Sequence, residues 1–174
     1  MENLASYVLE DEVLNWKSLP IEYFWFEEDF VEQNMRCIPM IVRFKMDNAG
    51  IKLKLSEWSK FKALERKHLA LRPIESNDEL NNFRKFLSSL IYKYTGNTPT
   101  LLVIDPNPEW TNLSTVPKTL IDKSKEFNWE IRTEQWSRLT ILQRFALLKL
   151  CRAGHENKNF PKAMKEFGIV SGEN

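Results

Sequence analysis

The sequence predicts a mainly α-helical fold: two structurally related helical halves packed as one compact domain, with short strands at most. Three observations point there. The stretch Trp58-Ser59-Lys60-Phe61-Lys62-Ala63-Leu64-Glu65-Arg66 returns without a gap, 78 positions on, as Trp136-Ser137-Arg138-Leu139-Thr140-Ile141-Leu142-Gln143-Arg144. The same offset aligns Ile38-Pro39 with Val116-Pro117, Lys45 with Lys123, Gly50 with Asn128 and Leu69 with Leu147, the signature of a duplicated supersecondary unit. Finally, apolar residues recur at helical rather than alternating spacing through most of the chain.

The 174 residues suit one domain, and 43% hydrophobic residues give ample material for a core. Residues 1–22 read as an N-terminal extension and 23–168 as the domain. Its repeats span about 36–96 and 114–168, joined by a Pro-rich connector at 97–113, with 169–174 as a tail. Within 23–31, Tyr23, Phe24, Trp25, Phe26 and Phe30 make an aromatic plug for the core.

The first unit begins at Ile38-Pro39, because proline fits the first turn of a helix, and Gly50 can close that helix in the left-handed conformation. The intervening MIVRFKMDNA is β-branched enough for a strand, but its copy decides for helix: Leu120, Ile121, Ser124 and Phe127 follow a helical period. An extended link follows each helix, and Ser56 and Thr133 are expected to cap brief helices carrying Trp58 and Trp136. Thr140 and Gln143 form a capping box, with Glu65 in the matching place of the first unit. The helix after Thr140 presents Leu142, Phe145, Ala146, Leu148 and Leu150, apolar nearly all round, and should be central and run to Gly154. A long helix from Asn77 ends at Gly96, and its shorter counterpart runs from Asn159 to Phe167. In the connector, Leu101-Leu102-Val103-Ile104 suggests one edge strand before the turn residues Asp105-Pro106-Asn107-Pro108.

Composition narrows the function. Net charge is only +1, but residues 1–32 carry nine acids against one Lys, while 33–72 carry ten Lys or Arg against three acids. The acidic arm is expected to neutralise the basic unit, which leaves no free basic face for nucleic acid. Two cysteines make no disulfide framework, and the N-terminus lacks a signal peptide's basic and apolar regions. No apolar run is long enough for a membrane span, so a cytoplasmic location is expected.

Chemistry-bearing residues are few. Arg66 and Arg144, eight residues after their tryptophans, read either as a doubled anion site or as structural arginines, stacked on Trp or paired to a carboxylate across the repeat interface. Arg152-Ala153-Gly154-His155-Glu156-Asn157-Lys158-Asn159 is the densest polar cluster; it reads as a helix end, a turn and the next cap, or as a binding surface. Cys37, His68, Cys151 and His155 together are the minimum for a closed zinc site, without metal-ligand spacing. Five scattered glycines offer no phosphate-cradling loop and no nucleophile elbow is present, so neither an enzyme nor a resident metal or cofactor is expected.

FEEDFVEQNMRCIPMIVRFKMDNAGIKLKLSEW (26–58) and LQRFALLKLCRAGHENKNFPKAMKEFG (142–168) resemble the nitrate reductase-associated protein family, with R-C-I-P-M and H-E-N-K-N-F the most specific parts. The first 22 residues lie outside the pattern, and Met35 stands where leucine is usual. The resemblance implies an accessory factor required for active assimilatory nitrate reductase, an enzyme built around a molybdenum pterin and an iron–sulfur cluster. The partner that the resemblance implies is the reductase protein, met in its immature form during cofactor insertion; two cysteines cannot hold a four-cysteine cluster alone. Candidate contact residues are Arg36, Cys37, Arg152, His155, Glu156, Asn157 and Asn159. The alternative is a small-anion or cofactor-fragment binder, or an enzyme, with Arg66, Arg144 and His155 around a pocket between the repeats.

Overall fold

Residues 20–32, 35–152 and 158–171 are described in the computed structural model, so the extension 1–19 and His155, Glu156 and Asn157 lie outside the described residues. They open on a 3-10 turn (Trp25–Glu27) that runs into helix α1 (Glu28–Glu32). Phe24 and Phe26 are buried and stack at 5.3 Å, with Phe167 edge-on to Phe24 at 4.9 Å. Trp25 departs from the expected aromatic plug and stands 78% exposed. Its backbone N–H and that of Phe26 donate to the Glu166 carboxylate, which fixes the turn and directs the indole outward.

Buried Glu27 then joins this segment to the first repeat. Its Oε2 accepts from the Phe24 N–H at 3.1 Å, and its Oε1 accepts from the Met40 N–H at 2.7 Å. That second bond satisfies a donor with no intrahelical partner at the start of α2 (Met40–Ala49), where negative charge is favourable. Pro39 precedes the helix and Gly50 closes it at φ 67°, as the sequence predicts.

The chain continues through β1 (Ile51–Lys52), α3 (Leu55–Trp58), α4 (Ala63–Leu71) and α5 (Asn77–Thr95). Beyond it come β2 (Thr100–Leu101), α6 (Lys118–Lys125), α7 (Thr133–Arg138), α8 (Ile141–Leu150) and α9 (Phe160–Glu166). The described residues are therefore mainly helical, with one two-stranded antiparallel sheet pairing Ile51 with Leu101 and Lys52 with Thr100. Among them no helix is long and apolar enough to cross a membrane. Buried apolar side chains from both sequence repeats form one continuous core, with Trp58, Trp136, Phe83, Phe145 and Phe160 fully enclosed.

Several helices start at the spacing of the sequence repeat: Met40 and Lys118, Leu55 and Thr133, Ala63 and Ile141. Asn128 takes the left-handed conformation at φ 57°, in the place of Gly50. The spacing is lost at the end, where α5 is 19 residues long and α9 only 7.

Two caps differ from expectation. Lys54 and Arg132, rather than Ser56 and Thr133, precede α3 and α7, and their side chains make no cap. The bond comes from the other direction: Glu57 accepts from the Lys54 N–H at 2.8 Å, and Gln135 from the Arg132 N–H at 3.0 Å. Glu65 does the same for Lys62, whereas Thr140 with Gln143, and Ser76 with Glu79 at the start of α5, complete the reciprocal box. Helix α8 stops at Leu150, short of the expected Gly154, with Cys151 as its C-cap.

Candidate interaction surface

The duplicated arginines are engaged with their own main chain. Arg66 donates from Nη2 to the Ser59 carbonyl at 2.9 Å and from Nε to the Trp58 carbonyl at 3.2 Å. Arg144 donates from Nε to the Trp110 carbonyl at 2.7 Å and from Nη1 to the Leu139 carbonyl. Each guanidinium also lies over the tryptophan of its own repeat, 5.6 Å from the Trp58 ring centre and 5.9 Å from that of Trp136. They staple two loops to two helices, and neither lines the cleft described next.

That cleft forms where α2 and α8 end side by side. Phe44 packs edge-on against Phe145 at 5.3 Å, and a turn further along Lys149 pairs with Asp47 at 2.6 Å. Burial lowers the pKa of the Lys149 ammonium; Asp47 raises it, while the positive charges of Arg152 and Arg43 lower it further. The cleft holds about 280 Å³ and is lined on one side by Asp47, Asn48, Lys149 and Arg152. Its other side is the connector, from Leu102 through Asp105 to Trp110.

Glycine at position 50 permits this arrangement. A Cβ there would lie 2.8 Å from Ile104 Cγ1 and 3.1 Å from the Leu102 carbonyl oxygen. The connector is thus seated directly on the end of α2, with the Leu102 N–H donating to the Gly50 carbonyl at 2.8 Å.

Of the residues singled out in sequence, Arg152 is exposed at the cleft and Arg36 is exposed beside half-exposed Cys37. The two regions approach one another through Arg43, whose Nε donates to the Ile38 carbonyl at 2.9 Å and whose charge is felt by Lys149. Asn159 occupies the N-cap of α9 without a side-chain bond to that helix. Among the described residues no three His, Cys, Asp or Glu side chains gather as a metal site. Burial pushes the Cys151 thiol up to about 12.

Sequence reasoning missed the Asp47–Lys149 pair, whose members lie in different repeats with nothing local to link them. The wall formed by Leu102 to Ile104 had a signal in four consecutive apolar residues, Leu101 to Ile104, between prolines.

No curated protein and no solved structure matches this chain. A family model does: that of the conserved nitrate reductase-associated protein aligns with residues 23–167, from the first buried aromatics to the end of α9, and so takes in both sides of the cleft. On that match the chain belongs to the nitrate reductase-associated protein family.

Proposed function

We propose that this protein is an accessory factor that docks on immature nitrate reductase and favours its cofactor-accepting conformation, without catalysing a reaction itself. Membership of a family described as nitrate reductase-associated supports the reductase as that partner. The observation that carries the mode of action is the state of the arginines: those that could have bound an anion in duplicate are held by backbone carbonyls. Arg36 and Arg152 remain exposed at the surface, and Arg152 shares its cleft with the exposed apolar run of the connector. Such a surface suits a protein partner, with an apolar centre and a charged rim. Docking can shift the reductase toward a receptive state only through contacts that differ between its immature and mature forms.

The test uses tagged full-length protein and extracts of a nitrate-grown host, with the reductase prepared both with and without its molybdenum cofactor. Preferential capture of the cofactor-free form is expected, together with low molybdenum per reductase in cells lacking this protein. Equal capture of the two forms would remove the maturation role. Capture of neither would remove the docking role altogether.

A further inference from the structure

Among the described residues strand β2 has no neighbour on its second edge. The register pairs Ile51 with Leu101 and Lys52 with Thr100, and the Leu102 N–H bonds to the Gly50 carbonyl. Hydrogen-bonded and non-bonded pairs alternate along an antiparallel ladder, so Thr100 and Leu102 turn their main-chain groups toward β1. The N–H and carbonyl of Leu101, and by the same alternation those of Val103, turn away from it.

The side chains follow the pleat. Leu102 and Ile104 lean toward the body, 38% and 46% exposed, while Leu101 and Val103 stand out at 73% and 100%. Among the described residues this edge carries no lysine, no internal proline and no covering element, and its shortness is its one protection. Beside it in the cleft, Asp47 is paired to Lys149 and Asp105 accepts from the Asn107 N–H. Arg152 has no carboxylate partner among the described residues.

We infer that the outer edge of β2 accepts an extended segment of nitrate reductase as a third strand, with alternate apolar side chains against Leu101 and Val103 and a carboxylate meeting Arg152. This rests on the docking role proposed above and names its contact. Strand addition draws affinity from main-chain hydrogen bonds and specificity from alternate side chains. A second copy of this chain is a poorer occupant. One short edge and two outward side chains fall well short of the roughly 800 Å² per partner typical of a stable dimer.

The experiment captures reductase from nitrate-grown extract on tagged full-length protein carrying L101K/V103K, V103T or R152E. All three positions are exposed, so each variant should melt with the parent chain. The lysine pair is expected to lower reductase retention by about tenfold or more, V103T to retain it and R152E to weaken it less than the pair. Hydrogen exchange at the Leu101 and Val103 amides should slow when reductase is bound. Retention by the lysine pair equal to that of the parent overturns the inference and leaves the docking role standing. Failure of the parent chain to capture reductase removes the role and the inference together. A concentration-dependent dimer that the lysine pair dissociates would assign the edge to a second copy instead.

Discussion

The Trp58 indole donates its single hydrogen bond to the Met35 carbonyl, 2.7 Å away and 23 residues upstream. Met35 is itself fully buried in the left-handed conformation, at φ 55°. The bond therefore holds a residue that most side chains would strain, just before the Arg36–Pro39 entry to α2. Trp136 repeats the device, donating to the Asn112 carbonyl at 2.7 Å.

Removing either indole N–H while keeping an aromatic ring should destabilise the protein to a similar degree. Among the described residues, Trp58→Phe leaves the Met35 carbonyl with only the long 3.4 Å contact from Arg66 Nη1. An underserved buried acceptor costs roughly 1–3 kcal/mol, with lost packing added. Trp136→Phe should fall in the same range, read from denaturant midpoints at unchanged slope. A midpoint indistinguishable from the parent in either variant would show that these bonds hold nothing in place.

Two glycines separate backbone strain from crowding. Gly50 and Gly96 both have φ near +70°, but a Cβ at Gly96 meets nothing within 4 Å. Gly96→Ala should cost roughly 1–2 kcal/mol, the penalty of the left-handed conformation. Gly50→Ala carries that penalty and also pushes against Ile104 and the Leu102 carbonyl, so its loss should be clearly larger. The excess should shrink in a Gly50→Ala/Ile104→Ala double variant. Additive losses would mean that the connector moves aside freely.

These residues also show how much of the structure could be read from the chain. Proline before a helix and glycine or asparagine after it are local signals, so α2, α6 and the closing turns were legible. The copied stretch resolved the helix-or-strand ambiguity of MIVRFKMDNA, which composition alone leaves open. Two features depended on partners distant in sequence. Glu166 turns Trp25 outward, and the cleft exists because Asp47 and Lys149 meet across the repeats. Helix ends misled for another reason: Glu57 and Gln135 reach back to cap from inside their helices, so no capping residue need stand in front.

Lys45 gives the fold a dependence on alkaline pH. Its ammonium is buried and donates to the Ala70 and Arg72 carbonyls at the end of α4, at 2.5 and 2.6 Å. Burial lowers its pKa from 10.5 to about 8, with Glu22 opposing the shift. The unfolded chain keeps this proton up to the higher value, and the folded one releases it near the lower. Between the two, the unfolded state binds more protons, so stability should rise with pH. The gain is at most about 3 kcal/mol, because the two carbonyls favour the charged form. Subtracting the unfolding free energy of Lys45→Met, pH by pH from 7.5 to 10.5, isolates this contribution. A flat or falling difference would contradict it.

The two thiols should differ sharply in reactivity. Cys151 caps α8, and burial holds its thiol near a pKa of about 12. At pH 8 that leaves roughly one thiolate in ten thousand, and the thiolate is the nucleophile. Cys37 is half-exposed in the segment leading to α2, next to exposed Arg36. Iodoacetamide at pH 8 should therefore modify Cys37 in the folded protein and reach Cys151 only after denaturation, as peptide mapping would show. If the Arg36–Cys37 surface contacts the reductase, Cys37 should also become slower to label in the captured complex. Labelling of Cys151 as fast as Cys37 in the native protein would contradict the raised pKa of its thiol, and unchanged labelling of Cys37 in the complex would take that segment out of the interface.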